Sequence, residues 1–104
     1  MLYMVVERFR EGCVAAVYRR FRERGRLMPD GVRYVSSWVD LPFERCFQVM
    51  ETESEALLAE WMANWGDLVE FEVIPVRTSA EAVGMEPGCG RTLTPEAGLR
   101  RTAR

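Results

Sequence analysis

The chain has 104 residues, of which 48% are hydrophobic and 29% are charged, and its formal net charge is −2. These values are typical of one globular domain and exclude a disordered chain, and a slightly acidic charge gives no reason to expect nucleic acid as a partner. The sequence has no histidine, so the commonest general base and metal ligand are both missing.

The three cysteines, Cys13, Cys46 and Cys89, are widely separated and form no CxxC pair. Such a set argues against a disulfide framework or a zinc site, so we expect neither a metal nor another cofactor. The opening MLYMVV is too short for a secretory signal, and no apolar run reaches the ~18 residues of a membrane span. The expected location is therefore the cytoplasm, without a membrane partner.

In chain order, residues 2–9 are rich in β-forming side chains and predict a first strand. Val14, Val17, Tyr18 and Phe21 then recur at helical spacing, and Gly25 is placed to end that helix. The run Pro-Asp-Gly at 29–31 predicts a turn.

A hairpin follows, with strands over residues 32–40 and 44–52 and a tip at 41–43. If Ser36 faces Gln48, antiparallel pairing also fixes the neighbouring pairs on both faces. The predicted pairs are Trp38 with Cys46 and Tyr34 with Met50 on one face, and Val35 with Val49 and Ser37 with Phe47 on the other.

A second helix is predicted after Thr52, which forms a capping box with Glu55, although Ser54 is a rival cap. Its apolar stripe consists of Leu57, Leu58, Trp61, Met62 and Trp65, and Gly66 is expected to end it. Residues 69–77 predict a last strand, in which Pro75 indicates an edge position or a bulge.

The resulting order, β-α-β-β-α-β, predicts an α+β, ferredoxin-like fold: a four-stranded antiparallel sheet with both helices on one face. Right-handed crossovers favour the strand order 4-1-3-2. We expect the domain to span residues 1–78. Residues 79–104, rich in glycine and without aromatic side chains, predict a largely flexible tail with a short ordered start at 79–83.

The helix-free face of such a sheet must also be covered or solvated. Alternation assigns Val6, Val35, Phe47, Val49, Phe71 and Val73 to the helix side. The helix-free face then receives a mixed but rather apolar set: Tyr3, Val5, Glu7, Tyr34, Ser36, Trp38, Cys46, Gln48, Met50, Glu70, Glu72 and Ile74. Monomers rarely leave such a patch exposed, so we expect a homodimer joined through this face.

The segments MLYMVVERF, YVSSWVD, RCFQVMET and W..NW.DLVEFEVIPVRTSAE, where dots mark unmatched positions, together resemble a family of small bacterial proteins catalogued as a domain of unknown function. That family is similar to the dimeric α+β barrel group, which includes antibiotic-biosynthesis monooxygenases, muconolactone-isomerase-like proteins and stress-responsive barrel proteins. The resemblance covers residues 1–82 and implies a dimeric barrel. It transfers no catalytic residue, and the axial histidine of haem-binding members is missing here.

Two groups of side chains are candidates for a site on the predicted helix-free face. Glu7 meets Glu70 or Glu72 across neighbouring strands, where two enclosed carboxylates would form an acid/base pair. We favour the alternative that these carboxylates lie at a wet rim or pair with arginines. Tyr34, Ser36, Trp38 and Gln48 either line a small-molecule pocket or form a packed dimer interface, and both interpretations remain open.

Other conspicuous residues favour structural roles. The arginines between Arg19 and Arg26 indicate a solvated helix face, and Trp61 and Trp65 indicate core. Ser36 and Ser37 have no histidine to activate them, and nothing in the sequence forces a basic group beside Cys46.

The function that the sequence favours is a homodimeric small-ligand-binding or accessory protein. The first alternative is a cofactor-independent monooxygenase or isomerase with its site between helix-free sheet faces. In that enzyme Glu7 or Glu72 would take a proton, Tyr34 or Gln48 would hold an oxygen and Trp38 would stack on a ring. The second alternative is a pure protein-interaction module.

Overall fold

The computed structural model describes residues 1–88. Its elements, in chain order, are β1 (Leu2–Phe9), α1 (Val14–Arg24), β2 (Val32–Val39), β3 (Arg45–Thr52), α2 (Glu55–Ala63), β4 (Val69–Val76) and the short α3 (Ser79–Ala82). The four strands form one antiparallel sheet in the order β2-β3-β1-β4, which is the predicted 4-1-3-2 order seen from the other edge. The predicted α+β, ferredoxin-like fold is confirmed.

The ends of the helices follow from local chemistry. Gly25, with φ of 70°, ends α1, as predicted. The N-cap of α2 is Ser54, whose side chain accepts a hydrogen bond from Leu57 N, so the predicted Thr52 cap is wrong and its rival is confirmed. The helix ends at the C-cap Asn64, before the predicted Gly66.

Both longer helices pack on one face of the sheet, which we call the helix-covered face. On β1 this face carries Tyr3, Val5, Glu7 and Phe9, all of them buried. Contacts with the helices identify it: Tyr3 OH donates to Glu55, and the Phe9 ring lies 6.2 Å from that of Tyr18. The buried hydrophobic core consists of Tyr3, Val5, Phe9, Val17, Val32, Met50, Leu58, Trp61, Trp65 and Val69.

The opposite side of the sheet, which we call the open face, is not the one that the sequence predicted. It carries Leu2, Met4, Val6 and Arg8 of β1, Arg45, Phe47, Val49 and Glu51 of β3, Arg33, Ser36 and Trp38 of β2, and Glu70, Glu72, Ile74 and Val76 of β4. The predicted assignment is therefore inverted on β1 and β3 and correct on β4. Alternation separates two sets of side chains, but both sets on β1 are apolar, so hydrophobicity alone did not identify the set facing the helices.

A bulge in β2 adds a second correction. The register of the hairpin shifts between Tyr34 and Ser36, which leaves Val35 without a partner. Tyr34 faces Met50 as predicted, but the predicted pairs involving Ser36, Ser37 and Trp38 are wrong. Beyond the bulge, the pairs are Ser36 with Val49, Ser37 with Gln48, Trp38 with Phe47 and Val39 with Cys46.

The remaining predictions concern the edge of the sheet and the chain end. Pro75 lies in β4, an edge strand. The short helix α3 occupies the predicted ordered start of the tail, capped by Thr78 and Glu81. The prediction for residues 89–104 lies outside the described residues. Within residues 1–88, no helix has the length and apolarity required to cross a membrane.

Candidate functional site

A pocket of about 130 Å³ lies between the helix-covered face and the two longer helices. Its walls are mostly aromatic and aliphatic, and its polar side chains come from three strands and the loop after α1. The aromatic and aliphatic residues are Phe9, Val17, Tyr18, Phe21, Val39, Trp61 and Trp65. The polar residues are Glu7, Arg26, Ser37, Cys46 and Gln48. Apolar walls with a few convergent polar groups are typical of small-molecule sites.

The carboxyl group of Glu7 is the buried titratable group of this pocket. Strand β1 places it between Cys46 of β3 and Phe71 of β4, with only 7% of the residue exposed. Gln48 Nε2 donates a hydrogen bond to Glu7 Oε2. Burial raises the pKa of Glu7 to about 7, against the opposing effects of the Gln48 hydrogen bond and the Arg26 charge.

Glu7 lines the pocket, and its second carboxyl oxygen, Oε1, has no hydrogen-bond partner among residues 1–88. A carboxyl group that lines an apolar pocket, with a pKa near neutrality, can accept or donate a proton.

Arg26 is held rigidly in the loop that follows α1. Its carbonyl oxygen accepts hydrogen bonds from the indole Nε1 atoms of Trp61, at 3.0 Å, and Trp65, at 2.9 Å. Its guanidinium Nε donates to Gln48 Oε1 at 3.2 Å, and its Cζ lies 3.6 Å from the centroid of the Tyr34 ring. The side chain is thereby fixed beside the pocket, and Gln48 links its charge to Glu7.

The other polar side chains of the pocket are neutral. Burial, followed by the nearby Glu7 charge, raises the pKa of the Cys46 thiol to about 12, which keeps it protonated and a poor nucleophile. Burial also raises the pKa of Tyr18, with further contributions from Cys46 and Glu7. Ser37 Oγ is hydrogen-bonded to Tyr34 OH at 2.8 Å.

The structure separates the residues that the sequence grouped together. Glu7 and Gln48 line the pocket, and Tyr34 lies beside it through its contact with Arg26. Ser36 and Trp38 lie on the open face, because the bulge at Val35 changes which residues of β2 face the helices. Ser37 takes the place expected for Ser36 opposite Gln48.

The predicted carboxylate pair does not form. Glu72 faces Val6 on the open face, whereas Glu7 faces Phe71 on the helix-covered face. Glu70 is also on the open face, where its carboxylate lies 3.4 Å from Arg10 Nη1. The acid/base pair of Glu7 with Glu70 or Glu72 is therefore wrong, and Glu7 remains as a single buried carboxyl.

Sequence reasoning missed Arg26 and the polar role of the tryptophans. Arg26 was grouped with the solvated arginines of α1, although it follows the helix-ending Gly25 and lies outside the helix. Trp61 and Trp65 are core residues as predicted, 2% and 6% exposed. Because a buried indole N–H needs an acceptor, two tryptophans one helical turn apart could have indicated a nearby backbone carbonyl.

The structure offers no cluster of protein metal ligands in the part of the chain that it describes: no three His, Cys, Asp or Glu side chains are grouped closely enough to hold an ion. The polar groups of the pocket are instead suited to hydrogen-bonding an organic molecule.

Comparison with known proteins gives a family but no characterised relative. No curated protein and no solved structure matches the chain. The model of one family matches residues 1–89. The chain therefore belongs to the family described as a domain of unknown function (DUF3303).

Proposed function

We propose that the protein is a homodimeric binding protein for a small organic molecule, which each protomer holds in the pocket between its sheet and its helices. The observation that carries the proposal is the buried Glu7 carboxyl in a pocket with aromatic walls, with one oxygen that has no partner among residues 1–88. A buried carboxyl destabilises a fold unless something compensates it. A ligand that hydrogen-bonds to Oε1 would provide that compensation.

The volume limits the size of the ligand. Apolar cavities of about 150 Å³ hold one benzene molecule, so about 130 Å³ suits a single small ring or a short branched chain. Five aromatic side chains line the pocket, namely Phe9, Tyr18, Phe21, Trp61 and Trp65. They favour a ligand with a mostly apolar body and one polar end.

The side chains of the open face are the basis for proposing a homodimer. Trp38 and Ile74 on this face are 56% and 41% exposed, and Met4, Val6, Phe47 and Val49 are only half-buried. A two-fold axis that lies between two open faces, parallel to the strands, would pack these apolar side chains against those of a second copy. The exposed apolar area therefore favours a second copy of the chain as occupant.

We further propose a cytoplasmic location. Cys13 and Cys46 are free thiols. Free thiols are typical of proteins from reducing compartments.

The ligand-binding proposal can be tested with a metabolite extract and native mass spectrometry. The wild-type protein should retain a small molecule at one copy per protomer. Val39→Trp, which fills the pocket from its edge, should remove that mass, whereas Val83→Trp, at an exposed position away from the pocket, should retain it. Equal retention by both variants, or no retained mass in the wild type, would contradict the proposal.

A second candidate function is proton-transfer catalysis, favoured by the pKa of Glu7 near 7. Glu7 would remove a proton from a bound carbonyl compound and return it elsewhere, as in an isomerase. In D2O, the wild-type protein should then introduce deuterium into the retained ligand, whereas Glu7→Gln should not. Equal deuterium uptake with both proteins would remove Glu7 from the mechanism.

A further inference from the structure

We propose, building on the ligand-binding function above, that the pocket selects small monocarboxylic acids with an apolar body and holds their carboxylate between the guanidinium of Arg26 and the carboxyl of Glu7. The proposal depends on two uncommitted polar groups that face the same space, on the charges around them and on the shape of the walls.

The guanidinium group of Arg26 has donor atoms that make no hydrogen bond within residues 1–88. Its Nε atom donates to Gln48, but Nη1 and Nη2 have no partner among residues 1–88. Arg26 lines the pocket, so these two donors can serve a ligand there. The rings of Tyr34 and Phe21, with centroids at 3.6 Å and 5.1 Å from Cζ, fix the plane of the guanidinium. A fixed, planar donor pair matches the two oxygens of a carboxylate.

Glu7 completes the site as a proton donor. A bound carboxylate and an ionised Glu7 would repel each other in a poorly solvated pocket, so the acid binds when Glu7 is protonated. Protonated Glu7 can donate through Oε1 to one ligand oxygen while Arg26 donates to the other. The complex then contains one positive and one negative charge. A cationic ligand would instead be repelled by Arg26.

No other charged side chain lines this pocket within the described residues. Strand β3 presents Cys46 and Gln48 to Glu7, and α1 presents the phenol of Tyr18. The indoles come from Trp61 of α2 and from Trp65 in the turn that follows it. Burial raises the pKa of both Cys46 and Tyr18, so these groups stay neutral around pH 7. Among the described residues, Arg26 and Glu7 are therefore the side chains that determine which ligand charge the pocket favours.

This arrangement predicts how affinity changes with pH. Burial raises the pKa of Glu7 to about 7, so the free protein carries the needed proton below that pH and loses it above. Binding takes up a proton at pH 8, and the affinity for a carboxylate should be about tenfold lower at pH 8 than at pH 6. A ligand that donates a hydrogen bond to ionised Glu7 would show the opposite trend.

The test uses two pairs of probes that match in shape and differ in charge: benzoate with benzamide, and isovalerate with isovaleramide. Binding is followed by tryptophan fluorescence and by ligand-observed NMR at pH 6 and pH 8. We expect the acid of each pair to bind more tightly than its amide at pH 6, with the pH dependence given above. In Glu7→Gln, the glutamine has the shape of protonated glutamic acid and carries no charge at any pH, so the pH dependence of binding should disappear.

Variants of the two candidate residues separate charge recognition from folding. Arg26→Gln should lower the affinity for the acids by about tenfold or more and leave the amides unchanged. The backbone carbonyl that Trp61 and Trp65 hold is retained in this variant. Arg24→Gln removes the same charge from the exposed end of α1 and should change neither.

Each remaining outcome has one consequence. If the amides bind as well as the acids and Arg26→Gln changes nothing, the ligand class is wrong, whereas the ligand-binding function stands. If no probe binds although the extract ligand is retained in a manner sensitive to Val39→Trp, the class is again wrong. If neither probes nor extract ligands bind, both proposals fail.

Discussion

Glu7 illustrates how one buried side chain can couple the stability of a fold to pH. A carboxyl on the helix-covered face of a sheet is costly in its ionised form, because burial removes its hydration. Gln48 offsets part of that cost by donating a hydrogen bond to one oxygen, and the positive charge of Arg26 offsets a further part. What remains uncompensated raises the pKa to about 7, within the range where pH governs the charge.

The raised pKa predicts how stability depends on pH. The unfolded chain releases the Glu7 proton near its ordinary pKa of 4.5, whereas the folded protein retains it up to about 7. The stability due to this group is therefore fully present below pH 4.5 and is lost as pH rises through 7. Glu7→Gln removes this loss and should raise the free energy of unfolding at pH 8 by about 2–3 kcal/mol, with little effect at pH 4.5.

Urea unfolding of both proteins at the two pH values measures this difference. Glu60→Gln in α2 is the matched control and should change stability little at either pH, because Glu60 is exposed and lies away from both the pocket and the open face. A gain of the same size at both pH values for Glu7→Gln would contradict the raised pKa.

Gly31 carries a second prediction, in the turn before β2. Its φ is +94°, and an added Cβ would lie 2.8 Å from Leu57 Cδ1. Gly31→Ala should destabilise the protein by about 1–2 kcal/mol, because alanine is strained at that φ and Leu57 must move. Gly66→Ala is the control. Its nearest neighbour to an added Cβ is 3.7 Å away and no positive φ is present, so thermal unfolding should show no loss of stability.

At the scale of the elements, side-chain capping explains where α2 and α3 begin. The side chain of Ser54 caps α2, which buries Leu58 and Trp61, whereas that of Thr78 caps α3, which buries nothing. Ser54→Ala should lower the free energy of unfolding by about 1 kcal/mol. Thr78→Ala removes the same kind of hydrogen bond, but from a helix without buried residues, so urea unfolding should detect almost no change. Equal losses would mean that α3 is part of the cooperative core.

How far the sequence determined the structure differs between elements and faces. Strand β1 was predicted at its observed bounds, and the strand order followed from connection rules, because alternation and turn residues act locally. The choice of face is not local. Tyr3 and Val5 compete with Met4 and Val6, and only packing against the helices decides between them. No glycine or proline near Val35 indicates the bulge in the sequence. Ser36 was therefore predicted at the position opposite Gln48 that Ser37 occupies.

The site was predictable only in part for the same reason. Glu7 and Gln48 were predicted as site candidates in two separate groups on the helix-free face, and the structure brings them together on the helix-covered face. Arg26 lies in a loop. Its position depends on the hydrogen bond that its carbonyl oxygen accepts from the indole of Trp61, which is 35 residues further along the chain. Contacts at such separations leave little trace in local residue patterns.

At the scale of the whole molecule, the open face is the contact surface of the proposed dimer. The open face carries apolar side chains on all four strands, from Ile74 on β4 through Met4 and Val6 on β1 and Phe47 on β3 to Trp38 on β2. Trp38 is 56% exposed in the single chain. Large aromatic side chains at such positions are enriched in interfaces between subunits and in their energetic hot spots.

Placing a charge at Trp38 should therefore disrupt the proposed dimer. An arginine buried there without a partner costs about 3 kcal/mol in each of the two protomers, which weakens self-association on the order of 10,000-fold. In sedimentation velocity experiments, the wild type should sediment as two chains and Trp38→Arg as one at the same concentration. Leu41→Arg, at the 94% exposed hairpin tip outside the strands, is the control and should remain dimeric. A wild-type protein that sediments as one chain at high concentration would leave the open face without its proposed occupant. The pocket lies wholly within one protomer, so its ligand chemistry would be unaffected by that result.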